Sequence, residues 1–200
     1  MSPGLLGRAI AIFAVTNVDD LLILTLFFSR TTYRAGVTRV VIGQYLGFTA
    51  ILVFSIIGAL GAGLLADSVI PYLGLLPLLL GIRAAWNTWR QQRFGDHDEE
   101  LERETSTGAR IPHVAAVTFA NSGDNIGVYV PVFATAGAAG MARYVAVFLV
   151  GVAVWCAAGR FFATRPMIAK ALARWGHIVM PLALIGIGAF ILIEGGAFGL

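Results

Sequence analysis

Charge is scarce in this sequence: 12% of its 200 residues are Asp, Glu, Lys or Arg, against about a quarter in an ordinary soluble domain. That excludes a water-soluble globule of the usual kind. Cysteine is scarcer still. With Cys156 alone, an internal disulfide, a two-thiol redox relay and a thiolate cluster within one chain are all excluded. Histidine is limited to His97, His113 and His177, the last two at the ends of apolar runs and none at the centre of one. No phosphate-cradling loop with its lysine is present either, so any use of ATP would need a partner.

Apolar residues fill the space, at 58% of the chain with a mean hydropathy of +0.82. Together these describe an integral membrane protein whose surroundings are the lipid bilayer. The formal net charge of +3 does not point to nucleic acid, because the basic residues fall between apolar runs and form no patch. Six runs are long enough, at about 20 residues, to cross the hydrocarbon core. They lie at about 5–29, 40–65, 70–89, 113–136, 142–164 and 176–196. The first carries acidic residues at its centre and is read as a retained helix, not a cleaved signal peptide. Trp86 and Trp89 close the third as an interfacial aromatic belt.

A charged segment at 90–112, including Arg90, His97, Glu99 and Arg110, offers no apolar face and reads as a solvated linker. It divides the chain into 1–89 and 113–200, each with three runs. Thr16-Asn17-Val18-Asp19-Asp20 aligns with Asn121-Ser122-Gly123-Asp124-Asn125 at an offset of 105 residues. Pro77-Leu78-Leu79-Leu80-Gly81 and Pro181-Leu182-Ala183-Leu184-Ile185-Gly186 echo each other at nearly the same offset. Because three is odd, two copies of such a unit must face opposite ways in the bilayer. The expectation is an all-α polytopic protein of six transmembrane helices in two inverted three-helix repeats, with a site at the midplane where they meet.

The positive-inside rule sets the orientation. Twelve of the 14 basic residues fall on the side of the linker: Arg30, Arg34, Arg39, Arg83, Arg90, Arg93, Arg103, Arg110, Arg160, Arg165, Lys170 and Arg174. Only Arg8 and Arg143 lie toward the other. Both termini are therefore expected outside and the linker in the cytoplasm. Arg83, inside the third run, is expected to snorkel to the cytoplasmic surface.

Of 11 acidic residues only Asp19, Asp20 and Asp124 lie deep within a run. On an insertion scale a mid-membrane carboxylate costs about 3 kcal/mol, so three left alone would cost roughly 9 kcal/mol. No Lys or Arg at the centre of a run is there to pair with them. A visiting cation is expected, either protons or a divalent metal. On a continuous helix Thr16 would share a face with Asp19 and Asp20, as Asn121 would with Asp124 and Asn125. Asn17 and Ser122 lie beside these clusters, with Gln44 and Thr118 as further polar contributors. Gly123 and Gly127 around Asp124, and Pro131 beyond it, are expected to weaken the fourth run, Pro131 by freeing the carbonyl of Gly127. Gln44 reads equally as an interhelical hydrogen-bonding residue, and Cys156 as a small core residue. Oxygen donors of this kind suit a divalent cation without saying which.

Three motifs in order, Thr16 to Asp20, Ile42-Gly43-Gln44-Tyr45-Leu46-Gly47-Phe48 and Ala120-Asn121-Ser122-Gly123-Asp124-Asn125-Ile126-Gly127-Val128-Tyr129-Val130-Pro131, resemble the cadmium-resistance transporter family of the lysine-exporter superfamily. The resemblance covers nearly the whole chain. It implies export of Cd2+ from a bacterial cytoplasm across the inner membrane, with Mn2+ or Zn2+ as alternative cargo and protons as counter-ion. It also implies that Asn17, Asp19, Asp20, Asn121, Asp124 and Asn125 hold the metal; Thr16, Gln44, Thr118 and Ser122 remain additional candidates from the residues themselves. No resident cofactor and no enzymatic activity are expected; a homo-oligomer is left open. The competing readings are an exporter of a small amino compound, a metal-dependent membrane enzyme and a passive channel. An enzyme would need a nucleophile or general base beside the metal, and no histidine is placed to serve.

Overall fold

A computed structural model describes residues 3–31, 33–66, 69–91 and 110–197, apart from the side chains of Pro3, Arg90, Gln91 and residues 166–179. Among the described residues every element is helical. Seven α-helices follow in order: α1 (Pro3–Thr16), α2 (Val18–Ser29), α3 (Arg34–Ala62), α4 (Leu75–Gln91), α5 (Ile111–Asn121), α6 (Gly123–Phe162) and α7 (Pro166–Glu194). A short 3-10 turn, Ile70–Gly74, leads into α4.

Helices occupy each of the six apolar runs. By length and composition α3 and α6 can each cross a membrane, and α1 with α2 makes a third such segment if the bent pair is one span. The outer surface is what lipid requires. Ile57, Leu60, Val150, Val154 and Leu182 are each more than half exposed, and an apolar surface of that extent is not tolerated in water. Arg83 is exposed as well.

Three details depart from the reading of the sequence. The first run is not one helix: α1 and α2 meet at Asn17 with a bend of 57°. Asn17 adopts φ −113°, ψ 22°, outside the helical well. Thr16 therefore does not share a helical face with Asp19 and Asp20. The fourth run breaks in the same manner at Ser122, with φ −101°, ψ 26°, and the helix passes unbroken through Pro131. A proline inside a helix removes one backbone donor, whereas Ser122 and Gly123 combine a side chain that competes for backbone bonds with a residue of low helix propensity. The sixth run starts earlier than expected, at Pro166, because proline is suited to a first helical turn.

Long α6 changes direction at Gly137, which has φ 65°, ψ 174°. That region of backbone space belongs to glycine. The reversal lets the chain fold back, so that residues 123–136 and 138–162 are two helices joined without a loop.

Packing relies on small residues where backbones come close. A β-carbon on Gly43 would lie 2.6 Å from Val114 Cβ, and one on Gly47 would lie 2.7 Å from the Ala115 carbonyl oxygen. These two glycines press α3 against α5. Gly188 does the same for α7 against α4, where a β-carbon would meet Leu78 N at 2.5 Å. Gly58 gives close contact with Val130, whereas a β-carbon on Gly61 or Gly186 would meet nothing within 4 Å. The centre is aromatic: Phe13, Phe48, Tyr129, Phe133 and Phe148 are buried and in ring contact. Cys156 is buried beside this core.

Two further features lie on the side where the chain starts and finishes. Arg8 Nη1 donates to Glu194 Oε1 at 3.0 Å and to Oε2 at 3.2 Å, joining α1 to the end of α7. Next to this pair is a cavity of about 980 Å3, lined among others by Leu5, Arg8, Ile12, Val132, Ile187 and Glu194.

Candidate functional site

The two breaks stand 105 residues apart, the offset of the sequence motifs: Asn17 and Ser122 interrupt their helices at matching positions. Each break puts polar residues at the start of a new helix. Asp19 and Asp20 occupy the first turn of α2, and Asp124 the first turn of α6. A helix N-terminus favours negative charge there, which lowers the cost of carboxylates that no basic residue neutralises.

The six principal site residues come together across these breaks. Asn121 Nδ2 donates to Asp19 Oδ2 at 2.6 Å and reaches Asp20 Oδ1 at 3.5 Å, so one amide spans the adjacent carboxylates. Asn125 Nδ2 donates to Asn17 Oδ1 at 3.3 Å. Asp124 Oδ1 accepts from the backbone N–H of Asn125 at 3.0 Å, and Asp124 is near enough to Asp19 and Asp20 to interact with them electrostatically. Asp20, Asn17 and Asn125 are almost wholly buried, while Asp19, Asn121 and Asp124 are half-buried.

The four additional residues support this centre. Thr118 Oγ1 donates to Gln44 Oε1 at 2.6 Å, and Gln44 Nε2 donates to Asp20 Oδ2 at 3.1 Å. Gln44 thus acts as an interhelical hydrogen-bonding residue, held at that distance by the close approach at Gly43 and Gly47. Ser122 Oγ donates to the Thr118 carbonyl at 2.7 Å. Thr16 turns the other way: its hydroxyl donates to the Ile12 carbonyl at 2.9 Å and meets Tyr129 Oη at 3.0 Å.

Two members are absent from the sequence reading. Tyr129 Oη accepts from Asn17 Nδ2 at 2.8 Å, and Trp155 Nε1 donates to the Asn17 carbonyl at 2.5 Å. Tyr129 stands one helical turn beyond Asn125, on the same face. That i, i+4 relation was the available signal, although an aromatic residue in an apolar run reads first as core. Nothing local marks Trp155, which is 138 residues from its acceptor.

After these bonds are made, three buried side-chain oxygens have no partner: Asp19 Oδ1, Asp124 Oδ2 and Asn125 Oδ1. Buried polar atoms are nearly always satisfied, so three in one neighbourhood need a reason. All are acceptors, and only a donor or a cation can satisfy them. Among the described residues no three His, Cys, Asp or Glu side chains group closely enough to hold a metal ion by themselves. A cation here would therefore need the amide oxygens as well as the carboxylates.

No curated protein and no solved structure matched the chain. A family model did, over residues 13–200, which include both breaks and every residue named in the site. That match covers nearly the whole sequence, and the chain belongs to the cadmium resistance transporter family.

Proposed function

We propose that this protein exports Cd2+ from the bacterial cytoplasm as a secondary transporter, exchanging the metal for protons at a carboxylate and amide site. The observation that carries this reading is the trio of buried, unpartnered oxygens on Asp19, Asp124 and Asn125. Membership of a transporter family supports movement of the ion over a reaction upon it.

The ion would be held by Asp19, Asp20 and Asp124, with neutral oxygens from Asn17, Asn121 and Asn125. Carboxylates that lose a divalent ion in a low-dielectric setting must gain something positive in exchange, and protons from outside fill that role. Matching breaks at the 105-residue offset support two inverted three-helix repeats in a six-span chain. In such an arrangement the site lies at the midplane, and rocking of one half on the other exposes it to each side in turn. The distribution of basic residues supports termini outside and the 90–112 segment in the cytoplasm.

A second reading, Mn2+ as cargo, is favoured by one specific observation: the assembled donors are all oxygen, the set that suits harder ions. Uptake into inverted vesicles separates the two. Accumulation of Cd2+ above Mn2+, Zn2+ and Ca2+, abolished by Asp19→Asn or Asp124→Asn and by collapse of the proton gradient, is the expected result. Undiminished uptake in both variants would remove the site, and Mn2+ preference would replace the cargo.

A further inference from the structure

The cavity beside Arg8 and Glu194 has no role in the binding of the ion, yet it sits in line with it. Along α1 the order is Ile12, Thr16, Asn17, then Asp19 and Asp20 of α2. Along α6 the order is reversed: Asp124, Asn125, Tyr129, Val132. Ile12 and Val132 line the cavity. Thr16, Asn17 and Tyr129 are joined by hydrogen bonds of 2.8 to 3.0 Å. The acidic residues come next on both helices. Both chains therefore pass through the same three layers: cavity, hydrogen-bonded knot, acidic site.

The knot is closed to solvent. Tyr129 is fully buried, Thr16 and Asn17 are each 1% exposed, and the tyrosine ring packs on Phe48, Phe133 and Phe148. Its hydrogen bonds have a defined direction. The Ile12 carbonyl can only accept, so the Thr16 hydroxyl donates to it and its oxygen receives the Tyr129 proton. Tyr129 oxygen then receives the Asn17 N–H. Asn17 Nδ2 also donates to the Phe13 carbonyl at 2.8 Å, which leaves Asn17 Oδ1 for Asn125. Asn125 and Trp155 of α6 also bond Asn17, but the Tyr129 hydroxyl is the α6 group that meets both Thr16 and Asn17 on the cavity side of the acidic site.

We propose that the cavity is an aqueous vestibule for the hydrated divalent cation on the side of the chain termini, and that the Tyr129 hydroxyl is the latch that shuts it off from the carboxylate site. The proposal rests on the transport reading for the identity of the ion. Arg8, Glu194, Thr135 and Tyr144 give the cavity polar groups at its wall, which a groove filled only by acyl chains would not need. The 3.0 Å ion pair between Arg8 and Glu194 keeps both charges partly hydrated, with about half of each side chain exposed.

Single cysteines in a Cys156→Ala background test the two parts without requiring transport. Membrane fragments are exposed on both faces to a charged, membrane-impermeant methanethiosulfonate. Ile12→Cys and Ile187→Cys are expected to react, and Leu182→Cys, on the outer apolar surface, to stay unmodified. If Ile12→Cys and Ile187→Cys reacted only with a lipid-permeable maleimide, the cavity would be lipid-filled and the vestibule would be wrong. For the latch, Asn125→Cys lies just beyond the knot. Tyr129→Phe keeps the ring and removes the hydroxyl, and should raise the rate of modification at Asn125→Cys about tenfold. Tyr129→Ala should raise it further. An unchanged rate in both would overturn the latch. Since labelling needs no metal, a parent protein that transports no Cd2+ yet shows this pattern would remove the cargo and leave the vestibule.

Discussion

At the scale of the residue, the centre is built from amides that organise carboxylates. Asn121 and Gln44 each give an N–H to the acidic pair, and Asn125 gives its own to Asn17, so the amide nitrogens are engaged while oxygens are left over. Thr118 to Gln44 to Asp20 is a chain of two bonds through buried atoms. Thr118→Val would leave Gln44 Oε1 without its donor and should cost about 1–3 kcal/mol of stability. Adding Gln44→Leu removes the orphaned acceptor, so the double variant should lose less than the sum of the two single losses. Thermal unfolding in detergent micelles for the four proteins of that cycle measures this; strictly additive losses would mean that the two residues do not communicate. The acidic and amide positions were legible in the sequence because carboxylates in apolar runs are costly. Tyr129 and Trp155 were not, because their rings suit an apolar helix whether or not their polar atoms have a task.

Among the elements, breaks matter more than lengths. The apolar runs foretold where helices lie, since about 20 consecutive apolar residues leave few alternatives. They did not foretell the interruptions at Asn17 and Ser122. At Ser122 the break follows the local preferences of Ser122 and Gly123, whereas at Asn17 it coincides with bonds from Trp155 and Tyr129 on a distant helix, which no local pattern announces. Of the residues expected to weaken the fourth run, Gly123 adjoins the break, whereas the helix continues through Pro131 by giving up a single backbone bond. Gly137 behaves differently. At φ 65°, ψ 174° any β-carbon strains the backbone, even though no neighbour lies within 4 Å. Gly137→Ala should therefore destabilise the protein by about 1–3 kcal/mol. Gly61→Ala, in the last turn of α3 with helical backbone and also without a neighbour within 4 Å, should be stabilising by up to roughly 0.5 kcal/mol, less than the value for a helix interior. Aggregation temperatures of the two variants, read by size-exclusion chromatography after heating, should move in opposite directions. A Gly137→Ala protein as stable as the parent would mean that the chain does not reverse there.

For the whole molecule, the proposed orientation in the membrane rests on where the basic residues fall. With 12 of 14 on one side by the sequence count, a cysteine at position 106 should be shielded from impermeant maleimide in intact cells and reactive in inverted vesicles. A cysteine at position 2 should show the opposite pattern. Both are made in the Cys156→Ala background as Ser106→Cys and Ser2→Cys. Ready labelling of Ser106→Cys in intact cells would reverse the orientation and, with it, the direction of transport. The charged segment that this test uses lies outside the described residues over 92–109, so composition alone places it.

The contact between Arg8 and Glu194 bears on how such a chain can be strung together. Residues 186 positions apart in sequence are hydrogen-bonded through their side chains, so the first helix and the last are already neighbours in space. A short polar tether between α1 and the end of α7 would have little distance to cross. The chain could then be opened within the charged 90–112 segment to give a circular permutant in which the second half is made first. The order of the two halves along the polypeptide is thus separable from the way they embrace, and either half could lead.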